Sequence, residues 1–177
     1  MLTAGAITGN RELVRQPGLP LAVLPVVAVA APLIDLVAAL PVLLLFLIIG
    51  GGKLTIAILV LPLLIVLQFF LIQGLGFLLA SVNVTFRDTQ HLLVVALMLM
   101  VYLTPVFYDA GMIPDTLRPV YGLNPMTQLI MSYRNVLLEG SMPDWRVLVI
   151  LFSVDAAFLF VGWAAFVRAR SSFVDEL

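Results

Sequence analysis

Two uninterrupted apolar runs rule out a water-soluble fold for this chain. Across residues 21–49 the only ionisable side chain is Asp35, and residues 54–80 contain none at all, Gln68 and Gln73 being their strongly polar members. At about 1.5 Å of rise per residue, each run as a helix exceeds the roughly 30 Å hydrocarbon core of a bilayer. Composition agrees: 63% of the 177 residues are hydrophobic and 11% charged, against roughly 45–50% and about 25% in soluble domains. The chain is therefore read as an all-α polytopic membrane protein. A net charge of −1 leaves no basic surplus of the kind that binds nucleic acid. With no cysteine, disulfides, thiolate metal sites and thiol nucleophiles are excluded.

Four spans are expected, at residues 21–49, 54–80, 91–107 and 147–167, in a single transmembrane domain. Pro25, Pro32 and Pro41 each remove a backbone donor from the first span, which implies kinks and burial against neighbours. Gly50, Gly51 and Gly52 make a tight connection to Lys53 that exploits positive φ. GGGK is not a phosphate loop, since Leu47 stands where the first glycine of that motif belongs. In the second span Gly74-Leu75-Gly76 permits close helix approach. The third is apolar only as far as Val101 and is expected to end or bend at Thr104-Pro105. The fourth contains Asp155 and ends against Arg168 and Arg170.

Between the spans, Arg87-Asp88 reads as a short water-exposed turn. Residues 108–146 are too polar to cross as a whole, yet Asn124 as N-cap and Pro125 at the first helical position announce a helix ending near Glu139-Gly140. On it Met126, Leu129, Ile130, Tyr133 and Leu137 share one face, and Gln128, Ser132, Asn135 and Glu139 another. Such an element is expected to lie in the interface or to re-enter the membrane. Residues 1–20 are polar and broken by Pro17, Gly18 and Pro20, and read as a short surface helix or a disordered tail. They lack the pattern of a signal peptide, so no cleaved leader is expected. With both termini inside, Arg11, Arg15, Arg87, Arg168 and Arg170 face the cytoplasm and Lys53, Arg118, Arg134 and Arg146 lie outside, a five-to-four bias in the positive-inside sense.

Chemistry is sparse. Asp35 and Asp155 are intramembrane carboxylates, by default functional candidates, and a proton-coupled carrier using both is one reading; the other is that each sits near a span end or bonds across a helix interface. Asp88 and the lone His91 have spacing for a general base or half a metal site, and a membrane-embedded transferase built on them is a more remote reading; without a second nearby ligand an interfacial role suits His91 better. No hydrolase, zincin or Walker sequence occurs. Tyr102, Phe107, Tyr108 and Tyr121 suit either an interfacial aromatic belt or a surface against which sugar rings stack.

Three stretches then carry a resemblance: NRELVRQPGLPLAVLP (residues 10–25), NVTFRD (83–88), and LTPVFY (103–108) through MIP (112–114) to LNPM (123–126). In order and spacing they resemble the permease subunit of type-2 ABC exporters of O-antigen, capsular polysaccharide or teichoic acid. The resemblance implies a cytoplasmic coupling helix formed by Arg11, Glu12, Leu13, Val14, Arg15 and Gln16, docked on a separate ATPase subunit that binds ATP and Mg. It implies no cofactor and no catalytic residue in this chain. Phe86, Arg87 and Asp88 would form a cytoplasmic hairpin. Tyr102, Phe107, Tyr108 and Asn124 would lie on the path of a lipid-linked glycan enclosed by two permease copies in the cytoplasmic (inner) membrane. Family permeases usually carry an amphipathic N-terminal helix and two further spans before the coupling segment, a portion expected to be missing here.

Overall fold

The structure, a computed structural model, describes residues 5–7, 9, 20–52, 55–86, 89–108 and 110–176. The coupling residues Arg11, Glu12, Leu13, Val14, Arg15 and Gln16, and the hairpin pair Arg87 and Asp88, lie outside them. The described residues are helical throughout, joined by turns, with no strand among them.

Helix α1 spans Val23–Ile49. Its entry is set by Pro20, whose carbonyl accepts from Val23 N at 2.9 Å. Pro25 falls in the first turn, where no donor is missed. Pro25, Val29 and Leu33 are buried in one i, i+4 stripe, and the remainder of the helix is largely open. The glycine run ends it as expected: Gly51 adopts φ +82 and Gly52 N returns to Leu47 O at 2.8 Å, so the last carbonyls are satisfied by a left-handed closure.

A 3-10 turn, Ile56–Val60, feeds directly into helix α2, Leu61–Thr85. This helix outlasts the apolar run that ends at Ala80. Ser81 pays no penalty in the extra turn because its hydroxyl donates to Phe77 O at 2.7 Å. The polar joint is correspondingly short: Thr89 N and Thr89 Oγ1 both donate to Phe86 O, at 3.0 and 2.6 Å. Helix α3, Thr89–Tyr102, has only 14 residues, about 21 Å at helical rise. It stops two residues before Thr104-Pro105, where the restriction proline places on its predecessor favours a turn.

Helix α4 covers Arg118–Leu123 and α5 covers Pro125–Arg134. Asn124 caps α5 as its type predicts, Oδ1 accepting from Met126 N at 3.0 Å. The helix widens into a π turn at Asn135–Glu139 and closes on Gly140 at φ 63. Its buried side includes Thr127, Leu129, Ser132 and Val136, so Ser132 departs from the polar face expected for it. Its hydroxyl donates to Gln128 O at 2.9 Å, which removes the cost of burying it. Helix α6, Trp145–Glu176, begins at Asp144, whose carboxylate accepts from Arg146 N at 2.9 Å.

Among the described residues three segments are long and apolar enough to cross a membrane, Val23–Ile49, Ile56–Val84 and Trp145–Ala169, while Thr89–Tyr102 is a shorter apolar helix. The chain is thus a multi-pass, all-α membrane protein.

It divides into two compact units. The first comprises Met1–Leu36, Phe69–Val95 and Asp155–Leu177. Inside it α2 and α6 run parallel and touch through backbone: a Cβ on Gly74 would lie 2.6 Å from Leu159 N, and one on Gly162 would collide with the Gly74 carbonyl oxygen. Phe77 then packs edge-on to Trp163 with ring centroids 5.3 Å apart, and tilted to Phe166 at 5.1 Å. Ile7, Leu21, Ala80 and Val84 complete that core. The second unit comprises Val37–Gln68 and Ala96–Val154. Its core gathers Ala57, Leu61, Leu64 and Leu67 with Leu129, Val136 and Leu151, so α5 is packed against apolar segments that belong to two of the spans.

Candidate functional site

The second unit places most of the sequence-predicted path residues in one cluster, and the cluster begins where α3 stops. With α3 ended at Tyr102, the last helical bond runs from Leu103 N to Leu99 O at 2.9 Å, and the Tyr102 carbonyl at the helix end needs a partner from outside it. The Tyr108 hydroxyl donates to Tyr102 O at 2.8 Å, and its oxygen lies 2.9 Å from that of Tyr121. The Tyr108 hydroxyl faces two acceptors, and its one proton is shared between the Tyr102 carbonyl and the Tyr121 phenol oxygen. Desolvation, followed by the hydrogen bond and charge of Tyr121, pushes the Tyr108 phenol up to about 12. The phenol is neutral at physiological pH.

Two further bonds fix the bend. Asn124 caps α5 with its oxygen and donates with Nδ2 to Thr104 Oγ1 at 3.3 Å, tying the bend to the start of the helix. Arg134, at the end of α5, donates from Nη1 to Tyr108 O at 2.8 Å and to Pro105 O at 3.3 Å. A guanidinium is always charged and carries several donors in a rigid fork, which suits it to holding two carbonyls of one irregular segment. Deeper along α5, the Tyr133 hydroxyl donates to Gln68 Oε1 at 2.9 Å, and Thr55 Oγ1 donates to Gly140 O at 2.8 Å. Burial pushes the Tyr133 phenol up to about 12.

The site therefore has a hydrogen-bonded base and an open aromatic surface. Tyr102 is 75% and Phe107 86% exposed, while Tyr108, Tyr121 and Asn124 are half-buried. Exposed rings present flat faces to apolar C–H surfaces, and the neighbouring phenols and amide offer donors and acceptors at the rim. No group of three His, Cys, Asp or Glu able to hold a metal exists among the described residues.

The other candidates belong to the first unit. Phe86 is exposed at the joint between α2 and α3, and His91 is exposed near the start of α3. The two intramembrane carboxylates have opposite settings: Asp35 is exposed on α1, whereas Asp155 is 1% exposed on α6 with Oδ1 unpartnered. Gln73, at 2%, also has its amide atoms buried without a partner.

Sequence reasoning missed Arg134. In sequence it stands only as a charge outside the membrane, yet it is the group that secures the bend. Its bonds reach back 26 and 29 residues, a separation at which no local pattern signals a contact. In sequence Thr104 is a hydroxyl beside the breaking Pro105 and Tyr121 is one of several aromatics; the bonds they make depend on the same return of the chain.

A family model described as ABC-2 type transporter matches residues 6–138. The O-antigen export system permease protein RfbA of Myxococcus xanthus is 31% identical over 176 residues, covering 98% of this chain and 68% of its own length. A protein of the same name from Klebsiella pneumoniae is 24% identical over 169 residues, covering 95% of this chain and 65% of its own length. The chain thus spans about two thirds of the length of these relatives.

Proposed function

The chain belongs to the ABC-2 type transporter family, and from that premise we propose that it is the membrane permease of an exporter carrying a lipid-linked polysaccharide across the cytoplasmic membrane. ATP and Mg are bound and hydrolysed by a separate ATPase chain, and two permease copies enclose the path. The observation that carries this reading is the match of nearly the whole chain to relatives named as O-antigen export permeases. It favours ATP-driven export over a proton-coupled carrier built on Asp35 and Asp155.

In this reading both termini and the joint near Phe86 are cytoplasmic. Residues 108–146 form an outer, re-entrant segment: Tyr133 of α5 bonds Gln68, which lies about 18 Å along the span that starts at Ile56. The aromatic surface of Tyr102 and Phe107, with Tyr108 and Asn124 beneath it, meets the sugar polymer near its exit. A sugar ring has an apolar C–H face and a hydroxyl rim, and an aromatic face bordered by phenol and amide groups matches both. No proton transfer or covalent step is required of these residues; they bind weakly and release.

Deletion of the gene in its own cell is expected to remove the polymer from the surface and to accumulate lipid-linked polymer inside. Unchanged surface polymer would overturn the export reading. Charge reversal at Arg11 and Arg15 is expected to abolish co-purification with the ATPase chain; retained association would remove the coupling role of that segment.

A further inference from the structure

Asp35 lies close to the middle of the 27-residue α1, about 18 Å from its start and about 21 Å from its end. Leu33, the last residue of the buried stripe, is two positions earlier, so Asp35 points roughly 200° away from it at about 100° per residue. The side chain is exposed. Facing lipid, a carboxyl at that depth would be among the costliest groups a membrane helix can carry. An aspartate is also too short to reach headgroups about 15 Å away, half the thickness of the core.

The face around it is built for close approach. Ala31 sits one turn earlier on the same side, and Pro32 is exposed beside it. Pro32 gives no hydrogen to the Ala28 carbonyl, so the face carries a bare carbonyl as well as the carboxyl. Small side chains with polar groups among them are the usual means by which membrane helices associate. A second copy of this chain has little to offer the carboxyl at that depth. Gln68 is bonded to Tyr133, Gln73 is buried, the Ser153 hydroxyl is returned to Val149 O, and Arg146 and Arg168 lie at the ends of Trp145–Ala169.

We propose that the Asp35 face of α1 is a helix-docking surface, occupied by another membrane helix that presents a basic or amide donor to the carboxyl near mid-bilayer depth. The Myxococcus relative extends well beyond the part this chain matches, so permeases of this kind carry further sequence from which such a helix can come. The inference rests on the membrane-permease reading but not on the identity of the exported polymer.

The chain contains no cysteine, so one introduced thiol carries a spin label without background. Ala31→Cys is labelled in the permease complex extracted from its own membrane into lipid nanodiscs, and accessibility to oxygen and to a water-soluble nickel chelate is measured. Ala28→Cys replaces it if the first variant fails to accumulate. The expected result is low accessibility to both quenchers, with oxygen accessibility rising severalfold when Asp35→Leu is added. High oxygen with low nickel accessibility places lipid on the face and overturns the proposal. High nickel accessibility marks a water-filled path and also overturns it, as does dipolar broadening from a label on a second copy. Unchanged accessibility in the Asp35→Leu background removes the carboxyl from the contact. Each of these leaves the export reading standing, because loss of surface polymer on gene deletion tests that separately.

Discussion

Within the first unit, α2 and α6 meet with nothing between their backbones at Gly74 and Gly162, and aromatic rings fill the seam above that point. Within the second, the start of α2 is joined to α5 by a side-chain hydrogen bond, Tyr133 to Gln68, and Thr55, ahead of α2, bonds Gly140 at the end of the α5 segment. The composition of the paired segments is similar, and the means of holding them is not. Lipid is as apolar as leucine, so greasy side chains alone give helices no reason to associate in a bilayer. Close dispersion contact between small residues is one solution. Polar bonds are another, and they suit a segment too irregular to pack backbone on backbone.

The contrast is most exposed to a single methyl group. Gly162→Ala is expected to cost about 3 kcal/mol, at the upper end for overpacking, because the atom met is backbone and has no rotamer to yield. Gly162→Leu is expected to prevent accumulation of folded protein. Gly122→Ala, whose Cβ meets nothing within 4 Å, is expected to be neutral or slightly stabilising. Thermal melting in detergent compares the three; equal melting points for Gly162→Ala and the parent would dissolve the distinction between the units.

Arg134→Ala comes next, at about 2 kcal/mol for a charged donor removed from two carbonyls. The loss is expected to fall on residues 103–108, read as faster amide exchange there than in α1. Arg134→Lys recovers part of the stability but not the two-carbonyl geometry. If exchange rises uniformly, Arg134 stabilises the unit without holding the bend.

Tyr133→Phe is a smaller break, about 0.6–1 kcal/mol for one polar bond in a membrane protein. It also carries a pH signature. The folded phenol is pushed up to about 12 from about 10 when unfolded, so the folded state holds this proton more tightly. Its contribution is complete below about pH 10 and is lost as pH rises towards 12. Melting points followed from pH 8 to 11 should fall more steeply in the parent than in Tyr133→Phe.

Smallest in stability is Phe107→Ala, within about 0.5 kcal/mol for an exposed side chain, yet export of polymer should drop. Unaltered export with an intact melting point would take Phe107 out of the glycan path.

The local features of the chain were legible because local rules govern them. Asn124, Pro125 and Gly140 mark the ends of the α5 segment by capping chemistry, and Gly51 takes the positive φ that its position in a glycine run anticipated. The third apolar run was recognisable as marginal, and α3 has only 14 residues. The continuation of α2 past Ala80 was less visible. Ser81 and Asn83 look like loop residues until the back-bond from Ser81 to Phe77 O is seen.

Hydropathy by itself determined that this is a helical membrane protein, because a backbone in lipid must satisfy its own hydrogen bonds and long apolar runs have no other stable form. The spacing of the motifs also pointed to the exporter permeases. Which side chains meet was decided only in three dimensions. The pairing of Gly74 with Gly162, the return of Arg134 to the bend, and the burial of Asp155 but not Asp35 all depend on helix rotation and on contacts far apart in the chain. Period and composition say that a helix has a polar position; only packing decides whether that position meets lipid, a phenol or another helix.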